Sequence, residues 1–223
     1  IFGLQCFGVN MKTANISIGS PAYALMAKHT IALARMLNLP CRCGGANTDA
    51  LCVSPQSGYE SMLALSATMQ YGANLIVHSA GILNSFAAMS YDKFIIDLEM
   101  IDMIRYYLND FIIDEDTLDV DRIDRVGPGG NFLTSLDTMT KCRTHSWEPI
   151  IGVRGNIAPK LALDQYYANI DHRKNQMLVS YCPPEAARDT RKDLDPYMTS
   201  QGVPAKLLDT ICETIYNNQE AIA

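Results

Sequence analysis

Three short apolar runs alternate with stretches of helical periodicity over the first half of the chain, and no other feature limits the fold as much. The runs are IFGLQCF (residues 1–7), LPCRCG (39–44) and ANLIVHSAG (73–81). Each is nearly continuous in β-tolerant residues rather than strictly alternating, the pattern of strands buried on both faces of a parallel sheet. Between the first two, GSPAYALMAKHTIALARMLNLP (19–40) offers Ser20 as N-cap and Pro21 at the first helical position. Leu25, Met26, Ile31, Leu33 and Met36 form its apolar set, and Pro40 bounds it. QSGYESMLALSATMQYG (56–72) reads as a second helix, and a longer one runs from about Ser90 to Leu108. Strand and helix in turn, with apolar strands, predict an α/β fold whose parallel strands are covered by helices.

From Asp114 the character changes to DEDTLDVDRIDRVGPGG and then to polar helical stretches. The expected organisation is therefore a strand-and-helix part over 1–112 and a C-terminal helical region over 113–223 that completes or flanks it. Pro183-Pro184 is the one candidate hinge. The chain opens at Ile1 on an apolar run that reads as a strand already under way, so further residues are expected before it.

Charge and cysteine content narrow the function. With 24 acidic against 18 basic residues the net charge is −6, and no Lys/Arg run tracks a phosphate backbone, which argues against a nucleic-acid partner. No stretch reaches the roughly 18 apolar residues of a membrane span. Seven scattered cysteines (Cys6, Cys41, Cys43, Cys52, Cys142, Cys182, Cys212) fit reduced thiols, so the expected location is cytoplasmic.

The densest group of chemistry-bearing residues is CRCGGANTDALCVSPQSGYE, residues 41–60. Cys41 and Cys43 share a strand face and with Cys52 or His78 could make up a zinc site, but the second ligand pair at the usual spacing is missing. Two small buried hydrophobes on one strand face explain them better, and no tightly bound metal is predicted. Asp49, Gln56, Tyr59 and Glu60 fall in the loop and first helical turn after a strand. They read together as a pocket rim, although the helix dipole alone would account for Glu60. His78 ends the run NLIVH, at the carboxyl end of a strand, where parallel-sheet proteins place working residues. GPGGN (127–131) reads as a tight turn without the Lys-Ser/Thr pair of a phosphate loop; if it lines a pocket, Gly129 and Gly130 are its cofactor-binding residues. Asp97, Glu99 and Asp102 read as a solvated helix face.

Taken as an ordered set, GGANTDALCVSPQSGYE, GANLIVHSAGIL, SYDKFIIDLEMIDMI and VGPGGNFL resemble the trimethylamine:corrinoid methyltransferase family over roughly residues 1–145. The resemblance implies the C-terminal part of a TIM (β/α)8 barrel. It also implies methyl transfer from a methylated amine to the Co(I) of a corrinoid (cobalamin) carried on a separate cognate protein. Asn47 stands where trimethylamine enzymes of this family carry pyrrolysine. The chain thus resembles the branch without that residue, whose members demethylate quaternary amines such as glycine betaine, proline betaine or carnitine. Ala22, Leu51, Ser54 and Asp137 also replace residues usual in the family, and the changes at Ala22, Asn47 and Leu51 keep open a relative that binds the corrinoid protein without turnover. Zinc-dependent transfer to a corrinoid from a thiol or alcohol, through Cys41, Cys43 and Cys52, is a third reading. A homo-oligomer is compatible with all three.

A quaternary ammonium leaves as a neutral tertiary amine, so its displacement needs no proton. The site has only to hold and aim the substrate. Rings and carboxylates suit a permanent cation. Phe2, Phe7 and Tyr59 are the candidate rings, and Asp49 and Glu60 the carboxylates, with Gln56 beside them. Asn47 is expected to orient the substrate, and His78 to meet a substrate carboxylate or the corrinoid face. On this reading Asp49→Ala lowers methyl transfer without unfolding the protein.

Overall fold

The computed structural model describes residues 1–3, 7–110, 112–142, 145–181 and 185–216, without the side chains of 185–192 and 211–216. Cys6, Cys182, Cys212 and the Pro183-Pro184 hinge lie outside what is described. Three strands, β1 (Phe2–Gly3), β4 (Cys41–Gly44) and β5 (Leu75–Val77), form a parallel sheet in the order β1-β4-β5. Phe2 pairs with Cys41, and Arg42, Cys43 and Gly44 pair with Leu75, Ile76 and Val77. The strands are the expected ones, and the sheet is open rather than a closed barrel.

Helix α1 (Pro21–Met36) joins β1 to β4 and α2 (Pro55–Gln70) joins β4 to β5. In α2, Ser54 and Ser57 bond each other's backbone N–H in a capping box, with Pro55 at the first helical position. Ser20 takes the N-cap position of α1, but its hydroxyl makes no capping bond. The apolar face of α1 also differs from expectation. Tyr23, Ala24, Ala27, Ile31 and Ala34 are buried, whereas Leu25, Leu33 and Met36 are exposed, Met36 by 76%. The spacing 23, 27, 31, 34 follows one helical stripe, and its small residues let α1 lie close to Cys41, Cys43 and Ala64 in one core cluster.

Helix α3 (Tyr91–Leu108) is capped by Ser90, whose hydroxyl accepts from Lys93 N, and it packs on α2 through Ile104, Leu65 and Ala46. Its acidic residues do not form one solvated face. Asp97 is buried in an i,i+4 ion pair with Lys93, Glu99 accepts from Ile151 N (2.6 Å) and Gly152 N (3.2 Å), and Asp102, which is exposed, accepts from Trp147 Nε1 (2.8 Å). Glu99 and Asp102 found their donors because the segment at 147–152 folds back along α3, a contact that local periodicity does not encode.

Two antiparallel pairs lie among the loops, β2 (Gly8–Val9) with β3 (Ile16–Ser17) and β6 (Ile82–Leu83) with β7 (Ala88–Met89). Strands of two residues leave no period-2 signature, so they were not expected. After α3 come α4 (Glu115–Leu118), α5 (Val120–Val126), α6 (Leu136–Lys141) and α7 (Pro159–Val179). Tyr166 and Ile170 of α7 pack on Ile95 and Ile151. The chain forms two compact units, Ile1–Ile170 and Asp171–Ala223. The second holds the end of α7 together with α8 (Glu185–Ser200) and α9 (Ala205–Tyr216). Among the described residues no helix is long and apolar enough to cross a membrane.

Candidate functional site

At the carboxyl end of β4 two glycines allow a sharp exit. A Cβ on Gly44 would overlap the Tyr23 hydroxyl and the Asn47 amide, and one on Gly45 would come within 2.7 Å of Ser79 Cα. Gly45 N donates to Val77 O (2.9 Å), so the exits of β4 and β5 run together. The loop 45–54 then crosses the top of the sheet and lies against three other segments.

Asp49 is where they meet. Its Oδ2 accepts from Ser17 Oγ (2.8 Å), and its Oδ1 accepts from Ile18 N (2.8 Å) and Ser85 Oγ (2.7 Å). The Gly19 N–H adds a fourth donor. The Ser85 hydroxyl also faces Ile16 O at 3.0 Å and shares its one proton between the two acceptors. Burial acts to raise the Asp49 pKa, but the bonds from Ser85, Ile18, Ser17 and Gly19 outweigh it and hold the carboxyl below its ordinary value. The group therefore stays anionic, with about four acceptor positions taken by four donors.

Glu60 braces the same loop from α2. Its Oε2 accepts from Thr48 Oγ1 (2.6 Å) and Asp49 N (2.8 Å), and its Oε1 accepts from Gln56 Nε2 (2.8 Å). The helix dipole is thus not the main reason for a Glu here. Asn47 is fully buried, with neither Oδ1 nor Nδ2 in a hydrogen bond. The Tyr23 hydroxyl lies beside it and accepts from Gly44 N (3.0 Å). Burial pushes the Tyr23 phenol up, against the opposing effects of Gly44 and the Asn47 amide, so it keeps its proton.

Rings gather at the neighbouring exit. His78, directly after β5, is exposed and has a left-handed φ of 51°. Its ring centroid is 4.7 Å from that of Phe86, Phe86 is 6.4 Å from Phe7 at 77°, and Phe7 stacks on Tyr23 at 6.5 Å. Phe86 belongs to a turn in which Asn84, Ser85 and Phe86 all have left-handed φ, at 48°, 51° and 78°. Such residues each cost about 1–2 kcal/mol. The turn is held by Asn84 N on Ala50 O (2.9 Å) and Ser85 N on Thr48 O (3.1 Å), besides the Ser85–Asp49 bond.

Of the expected site residues, Asp49, Gln56 and Glu60 are therefore brought together, Asn47 lies beneath them, and Phe7 and His78 share a ring cluster. Phe2 instead packs against the core cluster of Ile31, Cys41 and Cys43. Tyr59 is 64% exposed, because α2 turns Ser57, Ser61 and Ala64 inward and a residue two positions from Ser57 points away. Gly129 and Gly130 lie beyond the end of α5, where a Cβ on Gly130 would overlap Val126 O; they make a tight turn away from the strand exits. Ser17, Ser85 and Phe86 carry no sequence signal of their own, apart from the turn-forming Asn84-Ser85 pair.

Cys41 and Cys43 lie 3.9 Å apart, sulfur to sulfur, in the core. Burial, reinforced by Cys41, pushes the Cys43 thiol up to about 12, which opposes the thiolate a zinc ligand needs. Cys52 is exposed, and among the described residues no three His, Cys, Asp or Glu side chains are grouped to hold a metal ion. A further depression lies between α4 and α6, lined by Glu115, Asp116, Asp119, Asp121, Arg125 and Asp137. Two of its acids pair with the neighbouring Arg122, Asp119 at 2.6 Å and Asp137 at 3.1 Å, and no aromatic residue is among those lining it.

The family described as trimethylamine methyltransferase matches residues 1–202. A glycine betaine methyltransferase of Desulfitobacterium hafniense is 35% identical over 206 residues, which is 91% of this chain and 42% of the relative. A proline betaine:corrinoid methyltransferase of Eubacterium limosum is 35% identical over 66% of this chain and 30% of its own length. An L-carnitine:corrinoid methyltransferase of the same organism is 36% identical over 56% of this chain and 26% of its own length. The chain spans less than half the length of these relatives.

Proposed function

The chain belongs to the trimethylamine methyltransferase family, and from that premise we propose that it forms part of an enzyme moving a methyl group from a quaternary amine of the glycine betaine class to the corrinoid of a partner protein. The three parallel strands with α1 and α2 would be two β-α-β units of a (β/α)8 barrel, with the site at the carboxyl ends of its strands. The observation that carries the reading is that Asp49, its pKa held below the ordinary carboxylate value, is bonded to Ser85 of the turn that carries Phe86, whose ring stands beside those of Phe7 and His78.

Each part has a task. Asp49 supplies a fixed negative field for the trimethylammonium group, and the rings supply cation–π contact without a proton acceptor. Asn47 and Tyr23, buried beneath the loop, support the exit of β4 from below. Glu60, Thr48 and Gln56 hold the loop rigid so that the methyl group is presented in one direction. The corrinoid in its Co(I) state supplies the nucleophile that takes the methyl group, and the leaving tertiary amine departs neutral. His78, exposed at the rim, is placed to meet the acceptor face or a substrate carboxylate.

The test is methyl transfer to reduced cobalamin by the protein carrying this chain, followed by visible absorbance, with glycine betaine and trimethylamine offered separately. Methylcobalamin formed with betaine alone is the expected result. No product with either substrate, together with capture of the corrinoid protein in a pull-down, would replace this reading with a partner that binds and does not turn over.

A further inference from the structure

Lys93 and Asp97 are fully buried on α3, and an ion pair so placed is by itself a poor source of stability. What sets this pair apart is what its carboxylate holds. Asp97 gives Oδ1 to Lys93 and Oδ2 to the buried N–H of Gly81 (2.8 Å). Lys93 Nζ also donates to Ser61 Oγ (2.9 Å), so the pair is held from α2 as well as from α3.

Gly81 is the base of the β6–β7 hairpin. Its carbonyl accepts from Ser90 N (3.0 Å), which closes the hairpin behind the Ile82–Met89 and Leu83–Ala88 pairs. Its φ is 84°, and a Cβ there would come to 3.1 Å from Met89 Cε and 3.2 Å from Phe94 Cβ, so the backbone lies tight against the returning strand and α3. The tip of the same hairpin is the Asn84–Phe86 turn. Ser85 there donates to Asp49, and Phe86 stands beside His78, which lies three residues before Gly81. The hairpin thus has a carboxylate at each end, Asp49 at the tip and Asp97 at the base. Three successive left-handed residues hold their shape only when the surroundings fix them, so the tip depends on where the base is pinned.

We propose that Asp97 is a positioning residue of the site: through the Gly81 N–H it fixes the base of the β6–β7 hairpin and so sets where Ser85, Phe86 and His78 stand relative to Asp49. Lys93 compensates the buried carboxylate and keeps it aimed. The consequence for methyl transfer rests on the amine reading above, whereas the anchoring does not.

Two paired variants separate anchoring from core stability, because both remove the charge pair and only one removes the acceptor. Lys93→Met/Asp97→Asn keeps an oxygen for the Gly81 N–H, and Lys93→Met/Asp97→Leu leaves that N–H unpaired. Hydrogen exchange over residues 78–90, read by mass spectrometry on the protein carrying this chain, should quicken about tenfold to hundredfold in the Leu pair. It should stay near wild type in the Asn pair, with exchange in α1 unchanged in both. With glycine betaine and reduced cobalamin, kcat should fall about tenfold to hundredfold in the Leu pair and be mostly restored in the Asn pair. Equal hairpin exchange in the two pairs would overturn the proposal, as would faster exchange spread evenly over α1 and the hairpin. Wild-type kcat in a Leu pair whose hairpin exchanges faster would overturn it too. Hairpin exchange that separates the pairs, in a protein whose wild type turns over no methylated amine, would support the anchor and remove the amine reading instead.

Discussion

At the scale of single residues, Asp49 is both a field source and a structural node. It ties the end of β3, the crossing loop and the Asn84–Phe86 turn with bonds of 2.7–2.8 Å. Asp49→Ala would therefore disturb structure as well as chemistry, contrary to the expectation from sequence. Asp49→Asn sets an amide N–H against donors and should destabilise by about 1–3 kcal/mol in urea unfolding. Because its native pKa is lowered, the unfolded chain binds the proton first as pH falls. Its contribution is present above the ordinary carboxylate pKa of about 3.9 and is lost as pH falls through the native value, so Asp49→Asn should flatten the acid limb of stability against pH. Asn47 is constrained by packing instead. It is fully buried against Gly44 and Tyr23, so the larger Leu should overpack the exit of β4 and lower the melting temperature, at a cost of about 1–3 kcal/mol of stability. Asp49 was recognisable from residue type and its place after a strand, and Asn47 only through the family resemblance. Phe86 was not, since its role comes from backbone torsions and from loops that meet only in the fold.

At the scale of elements, α3 is held to the site by a buried charge pair. Lys93 and Asp97 are both fully buried and form an i,i+4 ion pair. Lys93 Nζ also donates to Ser61 Oγ of α2 (2.9 Å), and Asp97 Oδ2 accepts from Gly81 N (2.8 Å), three residues beyond His78. Lys93→Met leaves an uncompensated buried carboxylate and should cost about 3–5 kcal/mol, and pairing it with Asp97→Leu should recover most of that. Burial, opposed by Lys93 and the Gly81 N–H, pushes the Asp97 carboxyl up to about 6. Between about 3.9 and about 6 the native state then binds more protons at this position than the unfolded state, so its contribution declines as pH rises through that window. This lies above the Asp49 window, and a urea midpoint series from pH 2 to 7 separates the two. The helices themselves were legible, since Ser20, Pro21 and Pro40 bound α1 and the recurring strand–helix pattern placed α2 and α3, although the Ser54–Pro55 start of α2 was read as loop. Which face of each helix is buried was not legible, because packing chose alanines, serines and a Lys–Asp pair over the large apolar residues.

At the scale of the whole molecule, the sheet is open and several large apolar side chains on its helices face solvent. Leu25, Leu33, Met36 and Leu63 are among them, and β1 and β5 are the outer strands of β1-β4-β5. Exposed strand edges and apolar patches drive association. Expressed as these 223 residues, the protein should self-associate and bind a hydrophobic dye, as light scattering after size exclusion and dye fluorescence would show. A monomer with a sharp two-state transition would contradict this.

What the sequence by itself determined was the α/β class, the identity of the three parallel strands, the helices between them and the position of the candidate site after β4 and β5. These follow from local physics: hydrophobic continuity, capping and the geometry of a parallel strand exit. Tertiary structure alone decided that Glu60 braces a loop, that Asp49 is saturated with donors, that Phe2 belongs to the core and that Phe86 faces Phe7. Each depends on groups far apart in the chain, such as Ser17 and Ser85 on Asp49, 32 and 36 residues away. No window of neighbouring residues contains such a contact, because it is made by the loops that the sheet brings side by side.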